Sequence, residues 1–411
     1  MDATEMNRRT LARGAFAGAL AASASPALAQ DFGKFLERTA RESLRKGLEP
    51  QAIERAFAGS RSGEPVPFRT ADGWTLVAHR YKPTGQPRAA APIVLCHGLT
   101  YNALFWDLDP ACSPARHLAA AGYDVWSVNL RGCGLSQKWV WKLENAPTQL
   151  LGAAMRTVTK GKMAPTGYAT VDPKFASWTL DDHIIRDVPA IVGHVRRVTG
   201  APDVTWFGHS MGGIVAIAAL SRYQNPGIGR LVAVGSQVTM PDGQIAGQYL
   251  NSILTGRELQ LAGQLDAATA LQAGEAAAQN MFFNIRNIDT KVYEALTGWA
   301  TDVPSIGVMR QYMTLSSRGE LLDARGQTSY ARNLANLTVP ALFACGAADR
   351  FAPPRVQQQL HAGAGSADKT LLIIGRAQGY QVDAGHDDAL VGLNSRQQVY
   401  PTIERWIADR S

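Results

Sequence analysis

The chain has 411 residues, 46% of them hydrophobic and 18% charged, with a formal net charge of +7. This fits a soluble globular protein with one large core plus an insertion, or with two domains. No apolar run approaches the roughly 20 residues a membrane-spanning helix needs, and no run of five like charges exists to bind nucleic acid, so neither a transmembrane segment nor a nucleic-acid partner is expected.

Residues 1–29 read as a targeting segment and not as fold. Asn7-Arg8-Arg9-Thr10-Leu11 precedes an alanine-rich apolar stretch, and Pro26-Ala27-Leu28-Ala29 offers an A-x-A cleavage site. Basic region, apolar region and cleavage site in that order resemble a twin-arginine export signal, which implies an exported, periplasmic or secreted protein. Its removal takes away three arginines and two acids, lowering the net charge to +6. Residues 30–63 follow with Phe32, Phe35, Leu36, Leu44 and Leu48 at helical spacing, Gly47 as a stop and Pro50 as a start, which predicts a short helical hairpin without chemistry of its own.

From residue 64 the pattern changes to strands. "VPFRT" and "WTLVAHRY", joined by Ala71-Asp72-Gly73, predict a β-hairpin. "IVLC" (93–96), "DVWSVN" (124–129), "VTWF" (204–207), "LVAVGS" (231–236), "VPALFAC" (339–345) and "LLII" (371–374) then alternate with helical segments near 114–121, 181–198, from Met211, and near the C-terminus. Continuous apolar strands alternating with helices predict a mostly parallel sheet with helices on both faces. Between 240 and 335 an alanine- and glutamine-rich stretch has no strand candidate and predicts a helical cap inserted into one core formed by residues 64–239 and 336–411. Of the four cysteines, Cys96 and Cys345 end apolar runs and read as buried thiols, whereas Cys112 and Cys133 lie in loops and are candidates to pair in an oxidising compartment.

The chemistry concentrates at Gly208-His209-Ser210-Met211-Gly212. The pentapeptide sits between a predicted strand and a predicted helix, a sharp turn that lifts the serine hydroxyl above the sheet and leaves the Met211 amide free at a helix N-terminus. A serine needs a base to take its proton, and the base needs a carboxylate to hold its tautomer. Asp349, just beyond the strand ending at 345, and His386, in the loop after the last strand, supply both in the order serine, acid, histidine. The loop His97-Gly98-Leu99-Thr100 follows "PIVLC", so the Leu99 amide is the second oxyanion donor. Tyr101, Phe105 and Trp106 after that loop, with Met281, Phe282 and Phe283 in the insertion, are candidates to line an acyl pocket or simply to pack the cap.

Other readings compete. Asp349 could cap a helix before Pro353, and His361 is a rival to His386. Asp387 and Asp388 are read as caps of the following helix, and His97 and His209 as structural. Asp181, Asp182 and His183 are adjacent, but neighbouring helical residues point apart, which argues against a shared metal.

"AGYDVWSVNLRGCGLS", "WTLDDHIIRDVPAIVGHV", "GHSMGG" and "GHDDALVG…VYPTIERWI" resemble the α/β-hydrolase superfamily, and within it the acid lipase group and its bacterial relatives. The resemblance runs from about residue 64 to the end, leaves the insertion unaligned, and departs from the group at Cys133. It implies hydrolysis of a small-molecule or lipid carboxylic ester through an acyl-enzyme, with no cofactor. Acyl transfer or polyester depolymerisation would use the same three residues, and a non-catalytic binding protein on this scaffold should have lost one of them.

Overall fold

The computed structural model describes residues 63–136, 178–223, 225–240, 247, 281–302 and 304–411. The segment read as an export signal, nearly all of the predicted N-terminal hairpin and the first part of the predicted insertion therefore lie outside the described residues.

All eight runs read as strands form one sheet: β1 (Glu64–Arg69), β2 (Thr75–Tyr81), β3 (Ile93–Cys96), β4 (Val125–Asn129), β5 (Val204–His209), β6 (Ile228–Val234), β7 (Ala341–Gly346) and β8 (Lys369–Ile374). Their order across the sheet is β1-β2-β4-β3-β5-β6-β7-β8. The first two strands run antiparallel to their neighbours and all other pairs are parallel. The first hairpin turns through Gly73 at a φ of +88°, a backbone region that glycine enters without steric penalty.

Why the central strands are apolar throughout is visible in β3. Successive side chains point to opposite faces. Val94 and Cys96 join a core with Trp206, Ile191, Val195 and Ile214, whereas Ile93 and Leu95 join a second core with Leu118, Phe207, Ile403 and Trp406. Both faces are buried, so apolar residues predominate on both. The helices that cover them are α1 (Pro114–Ala120), α2 (Val188–Thr199), α3 (Met211–Arg222), α4 (Thr290–Trp299), α5 (Ile306–Arg318), α6 (Pro354–Gly363), α7 (Asp388–Val391) and α8 (Tyr400–Ala408).

The helix predicted near 181–198 is not uniform. A short turn Leu180–Asp182 and a π turn His183–Asp187 lead into α2, and a second π turn, Ser395–Val399, leads into α8. Both π turns run into a helix whose second residue is proline, Pro189 in one case and Pro401 in the other. Proline has no amide to close an i→i−4 bond and its ring crowds that carbonyl, so the preceding turn widens.

Between β6 and β7 the described residues contain helices but no strand. They are tied to the core at several points: the Asn102 amide donates to the Ala300 carbonyl at 2.8 Å, and Asp302 Oδ2 accepts from the Gly134 amide at 2.6 Å. The Leu180 amide donates to Gln311 Oε1, also at 2.6 Å.

Candidate active site

The turn between β5 and α3 consists of Ser210 alone. Its φ of 50° and ψ of −117° make it the only non-glycine residue with positive φ among the described residues. Such a conformation costs about 1–3 kcal/mol and survives only where the surroundings enforce it. Here the Ser210 amide donates to the Val234 carbonyl at 2.8 Å, and the Ser210 carbonyl accepts from the Gly213 amide at 3.0 Å and from Ser236 Oγ at 2.9 Å. The flanking glycines are demanded by packing: a Cβ on Gly208 would lie 2.2 Å from the Gly212 carbonyl carbon, and one on Gly212 would lie 2.1 Å from the Cys96 oxygen.

Asp349 stands three residues past β7. Its Oδ1 accepts from the Phe351 and Ala352 amides at 2.9 and 2.7 Å, and its Oδ2 lies 2.8 Å from His386 Nδ1. It does not cap α6, whose N-cap is Pro353. With the Nδ1 proton assigned to the bond with Asp349, Nε2 of the buried His386 keeps its lone pair, and it has no hydrogen-bond partner among the described residues. Burial opposes charge on this ring, but Asp349, by charge and hydrogen bond, and Asp387 and Asp388, by charge, outweigh it and hold the His386 pKa raised.

The end of β6 brings the two halves together. Val234 holds the Ser210 amide, and the next residue, Gly235 at φ +63°, lies so close to the histidine that a Cβ there would be 2.9 Å from His386 Cε1 and 3.5 Å from Asp349 Oδ2. The loop after β3 closes the other side: a Cβ on Gly98 would be 3.4 Å from Ser210 Cβ. Met211 is the first residue of α3, so its amide has no intrahelical partner, and the buried Leu99 follows Gly98 directly. His97 is structural. Its Nδ1 donates to the Gly98 carbonyl at 2.8 Å while Nε2 accepts from the Leu130 amide, and burial pushes its pKa down to about 4, so it is neutral.

Several sequence expectations change. Phe105 and Trp106 are both 0% exposed, stacked on His209 and packed edge-on against Phe207 respectively, so they are core and not pocket lining. A four-residue 3-10 turn, Ala103–Trp106, buries all its side chains and offers no face to a ligand. Tyr101 is half-buried and donates to Asp387 Oδ2 at 2.6 Å. Of the insertion aromatics, Phe282 reaches the site: its ring lies 5.4 Å from that of His386 and 5.2 Å from Phe351.

Asp387 and Asp388 do not cap α7 with their side chains. Asp388 accepts from the amides of Gly385 and Asn284 and from Asn287 Nδ2, binding the insertion to the histidine loop. Cys112 and Cys133 are buried and not joined in a disulfide: Cys112 lies 3.7 Å from the Tyr400 hydroxyl, and burial pushes its pKa up to about 12. His361 is remote, its Nε2 3.4 Å from the Lys369 carbonyl. Asp181, Asp182 and His183 do point apart, to Tyr330, Thr179 and Asp187 respectively. The sequence alone points to no role for Gly235 and to Asp387 only as a helix cap. For Gly235 the available signal was a glycine directly at the end of an apolar strand.

Comparison with known proteins agrees with this architecture. A model of the alpha/beta hydrolase family matches residues 93–399. Lipase 1 of Drosophila melanogaster is 31% identical over 147 residues, 35% of this chain and 26% of that protein. The tear acid lipase-like protein of Mesocricetus auratus is 30% identical over 161 residues, 38% of this chain and 34% of that protein. The matched segment thus spans about a third of these relatives' length or less. Among solved structures, a thermophilic esterase from Thermogutta terrifontis aligns with a TM-score of 0.52 over 84% of this chain and 98% of that one, at 17% identity, a likeness of fold.

Proposed function

Because this chain belongs to the alpha/beta hydrolase family, we propose that it is an ester hydrolase acting on carboxylic esters of small molecules or lipids, with Ser210, His386 and Asp349 as its catalytic residues. The observation that carries the reading is the buried His386, whose Nδ1 is tied to Asp349 and whose Nε2 has no hydrogen-bond partner among the described residues, packed closely against Gly235 beside the strained turn at Ser210.

In this mechanism His386 Nε2 takes the Ser210 hydroxyl proton as the oxygen attacks the ester carbonyl. The amides of Leu99 and Met211 donate to the oxyanion, a contribution of about 3–4 kcal/mol per donor in comparable sites. The imidazolium returns its proton to the leaving alcohol, and water, activated by the same nitrogen, then releases the acid from Ser210. Asp349 holds the imidazole in the tautomer that presents Nε2 and stabilises the cation.

The similarity to lipases favours an apolar acyl group, and Phe282 against His386 supplies an aromatic surface beside the reacting centre. Residues 1–29 support export to the periplasm or beyond, tested by fusing residues 1–35 to a reporter and changing Arg8 and Arg9 to Lys, which should block translocation. The enzymatic reading is tested with p-nitrophenyl esters of short and long acyl chains, wild type against Ser210→Ala. The expected outcome is turnover that Ser210→Ala abolishes; no turnover of any ester by the folded wild type contradicts it.

A further inference from the structure

The buried carboxylate next to His386 has no role in the mechanism above. Asp387 is fully buried, and its Oδ2 accepts from the Tyr101 hydroxyl at 2.6 Å while its Oδ1 has no hydrogen-bond partner among the described residues. Oδ1 lies 3.4 Å from His209 Nε2, but that nitrogen is engaged with the His386 carbonyl at 3.2 Å. A carboxylate oxygen of Asp387 and one ring nitrogen each of His209 and His386 lie within 4.8 Å of one another.

Two of the three ionisable side chains closest to Asp387 cannot answer its charge. His209 is buried, and burial, with the neighbouring His386, drives its pKa well below the ordinary value, so it stays neutral. Tyr101 donates a hydrogen bond but carries no positive charge. The other groups that act on Asp387 are the carboxylates of Asp388 and Asp349, which repel it. The one group that can become a cation beside it is His386, and it does so only when it has taken a proton. A buried anion without a standing counter-charge is costly, and is retained where a transient cation needs it.

We propose that Asp387 is a positioning residue for His386: its carboxylate stabilises the imidazolium formed during turnover and, through Tyr101, fastens the oxyanion loop to the histidine loop. This rests on the reading of His386 as the proton carrier. The loops after β3 and β8 meet the end of β5 in the cluster, so one carboxylate links the oxyanion loop, the strand that leads into the serine turn, and the base. Stacking of Phe105 on His209 at 4.6 Å and on Tyr101 at 5.1 Å holds the arrangement from below.

The test compares wild type with Asp387→Asn and Tyr101→Phe, each checked for folding by thermal melting. The His386 titration is followed by NMR in protein with 13C-labelled histidine, its resonance assigned by loss in His386→Gln. Asparagine can still accept from Tyr101 but carries no charge. Asp387→Asn is therefore expected to lower the His386 pKa, move the acid limb of kcat/KM to lower pH, and reduce kcat at pH 8 by about tenfold. Tyr101→Phe removes the donor that favours the ionised carboxylate, so its loss should be partly recovered as pH is raised, unlike that of Asp387→Asn. A purely structural role would lower activity in both variants without moving the His386 titration. An unchanged His386 titration in folded Asp387→Asn overturns the proposal. If wild type turns over no ester yet the titration shifts, the hydrolase reading fails while the coupling of Asp387 to His386 stands.

Discussion

Gly235→Ala isolates the geometry on which the site depends. The new Cβ would sit 2.9 Å from His386 Cε1 and 3.0 Å from Nδ1, while its 3.5 Å distance to Asp349 Oδ2 is ordinary contact. Carbon atoms pack comfortably at about 3.5–4.0 Å, so the imidazole must retreat by roughly half an ångström or more. It cannot swing freely, because Asp349 holds Nδ1 at 2.8 Å and the rings of Phe351 and Phe282 pack at 5.1 and 5.4 Å. A misplacement of about 1 Å can cost about 10²-fold in rate, so kcat should fall at least about tenfold with KM little changed. The positive φ adds a stability cost of about 1–2 kcal/mol. Gly200→Ala is the control, since Gly200 has φ +74° and nothing within 4 Å of its would-be Cβ. It shares the backbone strain without the contact. The assay is kcat and KM on a p-nitrophenyl ester at pH 8, with melting temperatures for both variants. If Gly235→Ala loses no more kcat than Gly200→Ala, His386 is not where the reasoning puts it.

Asp349→Asn should leave the fold intact but remove the acceptor that fixes the His386 tautomer, lowering kcat by about 10³- to 10⁴-fold; a loss under tenfold in steady-state kinetics would assign the acid elsewhere. Burial raises the Asp387 carboxyl from 3.8 to about 7, so the native state holds its proton more tightly than the unfolded chain. This group's contribution to stability therefore falls as pH rises from about 4 to about 7 and is level above that, a loss of up to about 4 kcal/mol. Asp387→Asn should accordingly melt higher than wild type at pH 8, with the gap closing toward pH 4; a pH-independent gap would contradict the assignment. All four cysteines are buried and none is in a disulfide, so Ellman's reagent should find no fast-reacting thiol in the native protein and four after denaturation, and finding two would reveal a disulfide.

The strands were legible because both faces of the sheet are dry, so that "IVLC", "VTWF" and "LVAVGS" stand out as unbroken apolar runs against polar surroundings. Ser210 follows β5 directly and Asp349 stands three residues past β7, so for these two chain order maps onto place in the sheet, whereas His386 stands twelve residues past β8 and is reached only through a long loop. Contacts between distant segments were not legible. Asp387 and Asp388 read as helix caps because capping is a local signal, whereas their partners are Tyr101 on one side and Asn284 and Asn287 on the other. Phe105 and Trp106 were ambiguous for a related reason: four residues of 3-10 turn are too few for periodicity to distinguish a ligand-facing from a core-facing side. Gly235 needs a glycine for its positive φ and also because His386, about 150 residues further along the chain, returns to touch it, and this second reason is not local.

The whole mechanism turns on an acyl-enzyme formed at Ser210. Its most direct test is to treat the mature protein with a fluorophosphonate, locate the adduct by peptide mass spectrometry, and repeat with Ser210→Ala. One adduct per chain is expected, on Ser210 and absent from the variant. An unmodified folded wild type, or an adduct on another residue that persists in Ser210→Ala, would contradict it.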